Sequence, residues 1–244
     1  MLDVYVSIII PGYNEGTHIF DNLLEIDCFA KKTFRDYEII FVNDGSTDDT
    51  QNKSELAALE SSKIRILKCR KNYGKGYALR LGTEVIKGQY TVFIDADLEL
   101  HPSQLPRFFK IMVTENADAV IGSKSHPESQ LNYPFGRRFL SSIYNKLINI
   151  LFHLNLHDTQ TGLKLFKSEV IQPAMKKTTV NRFAYEIEIL SLLNQMGAVI
   201  KECPIILKYN RINRWGRIRI GDIIQVFFDT LLIFYRIHFT KFYE

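Results

Sequence analysis

Short apolar runs alternate with amphipathic segments through the first half of the chain, and the two periods predict alternating strands and helices. Val4–Ile10, Glu38–Val42, Ile64–Lys68, Thr91–Ile94 and Ala119–Gly122 are β-branched or aromatic runs of strand length. Helical spacing occupies Thr17 to about Ala30, the stretch after Asp49, Gly76 to about Lys87, and Pro102 to about Glu115. That alternation predicts an α/β fold with a mostly parallel central sheet and helices on both faces. Thr91–Ile94 has no polar alternation, as expected of a strand covered on both sides.

After Ser123-Lys124 the pattern changes. Ser125–Pro134 is polar with two prolines and reads as a loop, and Arg137–Asn155 reads as a helix. A strand is predicted at Leu163–Phe166 and a helix at Phe183–Met196, where Glu186 and Glu188 sit among aliphatic residues and require partners if buried. Val199–Tyr209 reads as two short strands joined at Pro204. In the last segment Ile223, Ile224, Phe227, Phe228, Leu231, Leu232 and Tyr235 recur at helical spacing, interrupted by Asp222, Gln225, Asp229 and Arg236. Those interruptions argue against a bilayer span. The helix either packs on the core or lies in a membrane interface, where the preceding Lys208, Arg211, Arg214, Arg217 and Arg219 would favour anionic lipid.

At 244 residues and 46% hydrophobic content the chain can bury a sizeable core. A net charge of +4 is too mild to imply nucleic acid. Cys28, Cys69 and Cys203 are isolated, which suits buried thiols in a reducing cytosol. Met1-Leu2-Asp3 leads straight into a strand with no signal-peptide pattern, so the expectation is a soluble or peripheral protein.

The candidate chemistry gathers at strand ends, where open α/β sheets bind ligands. Asp95 and Asp97 follow the strand Thr91–Ile94, one residue apart. Two such carboxylates repel unless a positive charge lies between them, and a hard dication, Mg²⁺ or Mn²⁺, is a common solution, with Glu99 as a third oxygen donor. A solvated turn is the plain alternative for an isolated D-x-D. Asp44 occupies the equivalent tip of the second strand; beyond it, Ser46 or Thr47 is expected to cap the next helix, with Asp48 and Asp49 in its first turn. Gly74 and Gly76 flank Lys75 in a turn that serves either structure or a phosphate. His153 and His157, four apart, lack the further ligands a zinc site needs. There is no G-x-G-x-x-G and no G-x-x-x-x-G-K-[ST], which disfavours dinucleotide folds and P-loop NTPases.

Six motifs stand in a recognisable order: Ile10-Pro11-Gly12-Tyr13-Asn14-Glu15, Val42-Asn43-Asp44-Gly45-Ser46, Asn72-Tyr73-Gly74-Lys75-Gly76, Asp95-Ala96-Asp97, Gly122-Ser123-Lys124 and Asp158-Thr159-Gln160-Thr161-Gly162. Together they resemble the family 2 inverting glycosyltransferases of the GT-A fold, and among them the polyprenyl-phosphate sugar transferases. The resemblance implies a nucleotide-sugar half at about 1–122, an acceptor half at about 123–220 and a C-terminal amphipathic extension at 221–244. It places Pro11, Tyr13, Glu15, Asp44 and Lys75 on the nucleotide sugar, Asp95 at the ribose or metal region, and Asp97 and Glu99 on the cation. It places Lys124, Arg137, Ser141, Arg211 and Arg217 at the acceptor phosphate. Lys124 stands where many members have Arg, keeping the charge but losing the fork, and Arg217 replaces a Lys in a loop that here lacks a customary Ser.

The implied partners are a nucleotide sugar, with a uridine donor favoured over GDP-mannose, a polyprenyl phosphate and the cytoplasmic face of a membrane. Asp158 is either a general base, which a hydroxyl acceptor would require, or an organiser of the acceptor loop. A glycan hydroxyl as acceptor, or a catalytically silent relative that binds a membrane or partner through Ile223–Phe239, are the alternatives.

Overall fold

The computed structural model describes residues 1–131, 145, 147–182, 184–207, 220–240 and 242–243. Seven strands form one sheet: β1 (Leu2–Gly12), β2 (Phe34–Asn43), β3 (Ile64–Lys68), β4 (Tyr90–Phe93), β5 (Ala119–Ser123), β7 (Lys164–Lys167) and β8 (Ile200–Pro204). Their spatial order is β3-β2-β1-β4-β7-β5-β8, and β6 (Gln130–Leu131) pairs separately with β9 (Ile206–Leu207). Every pairing in the sheet is parallel except those of β7, which runs antiparallel to both β4 and β5.

Alternate positions of the strands face opposite layers. Ile8, Ile10, Ile39 and Phe41 join one buried cluster with Ile19, Leu23 and Ile26 of α1 (Ile19–Thr33), Ala57 of α2 (Thr50–Glu60) and Phe108 of α4 (Leu105–Thr114). Ile9, Ile40 and Val42 face the other way, onto Leu79 of α3 (Lys75–Thr83), Ile171 of α5 (Ser168–Lys177), Ile187 of α6 (Tyr185–Gln195) and Ile233 of α7 (Ile220–His238). Both faces are therefore covered, which is why the strands read as continuous apolar runs. β1 has β2 on one side and β4 on the other, so the chain reverses its direction across the sheet between β1 and β4. Loops leaving their carboxyl ends diverge and open a crevice there.

Several local expectations need correction. Neither Ser46 nor Thr47 caps α2: the helix begins at Thr50 with Asp49 at its N-cap, and Asp48 Oδ1 accepts from the Thr50 amide at 3.1 Å. Residues 147–152 are helical, but His153 and Asn155 adopt left-handed backbone at φ 51° and 53°, which ends the helix before Asn155. Helix α5 went unforeseen because Pro173 lies inside it and interrupts the helical pattern. On α7 the stripe singled out in the sequence faces outward at Phe227, Phe228, Leu231, Leu232 and Tyr235, while Thr230 and Ile233 are the buried positions.

Glu188 is fully buried, and its partners come from two separate segments. Its carboxylate accepts from the amides of Thr179 (3.0 Å) and Val180 (2.8 Å), from the Thr179 hydroxyl (2.9 Å) and from the Tyr243 hydroxyl (2.6 Å). One side chain thus ties the segment before α6 to the segment after α7. Glu188→Ala should lower the unfolding free energy in urea by about 3 kcal/mol, because several buried donors lose a charged acceptor at once. Tyr243→Phe, which removes a single donor, should cost about 1 kcal/mol.

Candidate active site

The crevice begins at the loop after β1. Pro11 and Gly12 are buried, Tyr13 is exposed, and Asn14 takes left-handed backbone at φ 56°. A clasp to the loop after β2 holds this shape: the Asn14 amide donates to Ser46 Oγ (3.0 Å), the Thr47 amide to Asn14 Oδ1 (2.9 Å), the Glu15 amide to Thr50 Oγ1 (2.8 Å) and the Gly16 amide to Asp48 Oδ2 (3.0 Å). Burial tends to raise the Asp48 carboxyl, but the Thr50 hydroxyl and the Gly16 and Thr50 amides outweigh it and hold the group below the ordinary range.

Asp44 is buried at the tip of β2. Its two oxygens accept from the amides of Tyr73 (2.9 Å) and Gly74 (2.7 Å), so it fixes the third motif in place. Burial pushes its carboxyl up and those amides offset part of the rise. Gly74 has φ 111°, and a Cβ there would stand 2.4 Å from the Asn181 carbonyl oxygen. That same oxygen accepts from the Gly76 amide at 2.8 Å, so the turn's backbone is approached by the segment before α6.

Lys75 reaches across to the loop after β4, where Nζ lies 2.6 Å from Asp95 Oδ1. The positive charge that Asp95 needs is therefore supplied by the chain. Burial works against both ions, yet the attraction between them prevails: Lys75 is held above its ordinary value by Asp95, and Asp95 below its own by Lys75, Lys164 and Lys124. Asp95 also abuts Gly162, the last residue of the Asp158–Gly162 motif, where a Cβ would lie 2.1 Å from Oδ2. Glycine is required there because the carboxylate occupies the side-chain position. Behind it, Lys164 Nζ forms a buried pair with Glu186 Oε1 at 2.5 Å and donates to the Thr161 carbonyl; the Tyr185 hydroxyl donates to the same glutamate oxygen at 3.1 Å. Burial, reinforced by Lys75, brings Lys164 below its usual value, against the pull of Glu186.

Two residues on, Asp97 Oδ1 accepts from the Glu99 amide at 3.1 Å, and the intervening Leu98 is left-handed at φ 53°. A non-glycine residue in that region costs roughly 1 kcal/mol, and such strain recurs at functional turns. Among the described residues no three of His, Cys, Asp or Glu gather as a ready-made metal cage. His157 Nδ1 instead pairs with Glu202 Oε2 at 2.6 Å.

Asp158 is buried with both oxygens engaged: Oδ2 accepts from the Lys124 amide (2.9 Å) and Oδ1 from the Gln160 amide (3.0 Å). Lys124 Nζ in turn donates to the Gln160 carbonyl at 2.9 Å. These contacts tie the Asp158–Gly162 loop to the end of β5. Arg137, Ser141, Arg211 and Arg217 lie outside the described residues. Lys164, Tyr185 and Asn181 were not picked out from the sequence. A charge inside the apolar run Leu163-Lys164-Leu165-Phe166 was the available signal for the first, and the buried-glutamate requirement at Glu186 asks for just such a partner.

Comparison with known proteins adds to this geometry. The profile of Glycosyl transferase family 2 matches residues 7–173. The putative glycosyltransferase CsbB of Bacillus subtilis is 34% identical, over 73% of this chain and 53% of its own length. Dolichyl-phosphate beta-glucosyltransferase ALG5A of Trichomonas vaginalis is 31% identical, over 96% of this chain and 75% of its own. The dolichyl-phosphate beta-glucosyltransferase of Saccharomyces cerevisiae is 30% identical, over 83% and 66%. This chain thus spans between about half and three quarters of the length of these relatives. Glucosyl-3-phosphoglycerate synthase from Mycobacterium tuberculosis, solved with Mn²⁺, UDP and glucosyl-3-phosphoglycerate, superposes with a TM-score of 0.72 at 19% identity, over 96% of this chain and 80% of that one. That likeness establishes the GT-A architecture. With the profile covering more than half of its residues, the chain belongs to glycosyl transferase family 2.

Proposed function

We propose that this chain is a cation-dependent inverting transferase that moves one glucosyl group from UDP-glucose to a polyprenyl phosphate. The observation that carries the reading is the meeting of three motifs on one carboxylate, Asp95, gripped by Lys75 and backed by Gly162. Relatives matched over most of the chain are dolichyl-phosphate beta-glucosyltransferases, and a fold neighbour was solved with UDP-glucose and Mn²⁺. In this assignment Pro11, Tyr13, Glu15 and Asp44 form the base end of the crevice. Asp95 and Lys75 orient the ribose and diphosphate.

The donor set suits a hard dication. Asp97 and Glu99 carry carboxylates within one tight turn beside Asp95, which Lys75 pairs, and in this reading the three acids form the cation end of the site. Mg²⁺ or Mn²⁺ needs few protein ligands when diphosphate oxygens complete its shell, and it would neutralise the charge developing on the departing UDP. An acceptor phosphate oxygen attacks the anomeric carbon from the opposite side, the bond to the donor β-phosphate oxygen breaks, and UDP leaves with the electron pair.

A phosphate monoester has a second pKa of about 6 and is largely ionised at neutral pH, so it needs cations to hold it and no base. Lys124, with Arg137, Ser141, Arg211 and Arg217, fills that role in this reading, in an acceptor half of about 123–220. A hydroxyl acceptor would require a base; the two backbone amides that Asp158 accepts from support the loop-organising role instead. The relevant membrane face is the cytoplasmic one.

Incubation with labelled UDP-glucose, GDP-mannose and dolichyl or undecaprenyl phosphate tests the reading: label should move from UDP-glucose into the organic phase, and exclusively water-soluble product would reject it. Asp97→Ala should reduce kcat/KM by about 10²-fold or more while leaving the thermal midpoint unchanged. Gly162→Ala, which intrudes on Asp95, should raise the donor KM and weaken UDP binding in calorimetry. The rate should climb with the second ionisation of the acceptor, near pH 6, and then stay flat toward pH 8.

A further inference from the structure

Behind the Asp95 end of the crevice, polar side chains meet at a single buried oxygen. Glu186 Oε1 takes the Lys164 ammonium at 2.5 Å and the Tyr185 hydroxyl at 3.1 Å, and all three residues are buried. Each of the two partners leads back to the site by its own route. Lys164 also donates to the Thr161 carbonyl, on the peptide that leads into Gly162, and it is the Gly162 backbone that Asp95 abuts. The Tyr185 ring carries the Lys75 ammonium 5.7 Å from its centroid and packs on Gly76, where a Cβ would stand 2.6 Å from Tyr185 Cβ. Lys75 and Asp95 are the two ends of one ion pair, 2.6 Å apart. Through Lys164 and Tyr185, Glu186 reaches both ends of that pair.

Topology brings this oxygen to the rim of the sheet. Lys164 stands opposite Phe93 of β4 and Ile121 of β5 in the antiparallel ladders, and Glu186 lies in the first turn of α6, where the helix dipole favours a carboxylate. Stability alone does not account for the cluster. Lys164 interrupts the apolar run Leu163-Lys164-Leu165-Phe166, and a buried ion pair gives little or no net stability over apolar side chains of similar volume. What it does give is fixed geometry, because a charge-assisted hydrogen bond admits a narrow range of distances and angles. The Lys75 and Asp95 side chains are 34% and 39% exposed, open on the crevice side, so backing from the protein side is what limits their motion.

We propose that Glu186 is a positioning residue of the donor subsite: acting through Lys164 and Tyr185, it holds Lys75 and Asp95 in the arrangement that receives a nucleoside diphosphate. This rests on the functional reading above, in that the ligand is the UDP part of the donor. Lys75 and Asp95 make the contact with the ligand, and Glu186 sets where that contact is made.

The test is calorimetric titration of UDP, with Mn²⁺ present, into the wild type and the double variant Lys164→Met, Glu186→Gln. That variant removes both buried charges at once while keeping side-chain volume and an acceptor for the Tyr185 hydroxyl. Its thermal midpoint should stay within about 4 °C of the wild type. Its UDP dissociation constant should rise about tenfold, and in the transfer assay the donor KM should rise with it while the acceptor KM and the number of binding sites hold. A merely structural role would reduce the number of competent sites and leave the affinity of the remainder alone; that result, or equal affinity in both proteins, overturns the proposal. Should the double variant fail to fold, Tyr185→Phe carries the test: it breaks one hydrogen bond to Glu186 and should weaken UDP about threefold, and unchanged affinity overturns the proposal. A wild type that binds no UDP with Mn²⁺ or Mg²⁺ rejects the functional reading and the positioning role with it, whereas UDP binding that neither variant alters rejects the positioning role alone.

Discussion

The site depends on a balance of four buried or half-buried charges. Lys75 and Lys164 face Asp95 and Glu186 at the carboxyl edge of β4, and each ion tolerates its loss of water only because an opposite charge is within reach. Removing Lys164 or Glu186, whose side chains are only 4% and 10% exposed, costs about 3–5 kcal/mol because its partner remains as an uncompensated charge; the more exposed Lys75–Asp95 pair costs less to break. The cluster therefore fixes relative positions that the backbone alone would leave loose: α3 through Lys75, the turn after β4 through Asp95, β7 through Lys164 and α6 through Glu186. Four segments far apart in the chain share one electrostatic constraint, and it sits where two loops of the sheet part.

That arrangement explains why the acidic turn reads ambiguously from sequence. Asp95 and Asp97 are chemically identical and one residue apart, so their pattern does not say which of them Lys75 grips. The distinction comes from Lys75 and from the missing side chain of Gly162, both distant in sequence. The alternation of strands and helices and the burial of the sheet on both faces were legible because they follow from local periodicity, whereas the order of the strands and the reversed β7 were not. The order of the six motifs was legible for the same reason, since each marks a strand end.

Tertiary facts hid the remainder. Pro173 masked α5, and a left-handed His153 shortened a helix that composition would have continued. Asp44 and Asp158 each accept from two backbone amides, contacts between segments distant in sequence that no side-chain pattern announces. On α7 two apolar stripes compete for the core, and helical spacing alone does not say which wins. The smaller one, with Thr230 and Ile233, fits beneath, and the bulky aromatic one is left outside.

The reversed direction of β7 has a further consequence. Ile121 of β5 pairs with Lys164 of β7, so the chain leaves the rim at Ser123 and returns to the same rim at the start of β7. Everything from Lys124 to Leu163 is thus an excursion with neighbouring endpoints, anchored by the Asp158 carboxylate to the Lys124 amide. Because its two ends meet at one edge of the sheet, the excursion brings its own side chains, Ile148 and Phe152 among them, back under the sheet without altering the strands that lead to Asp44 and Asp95.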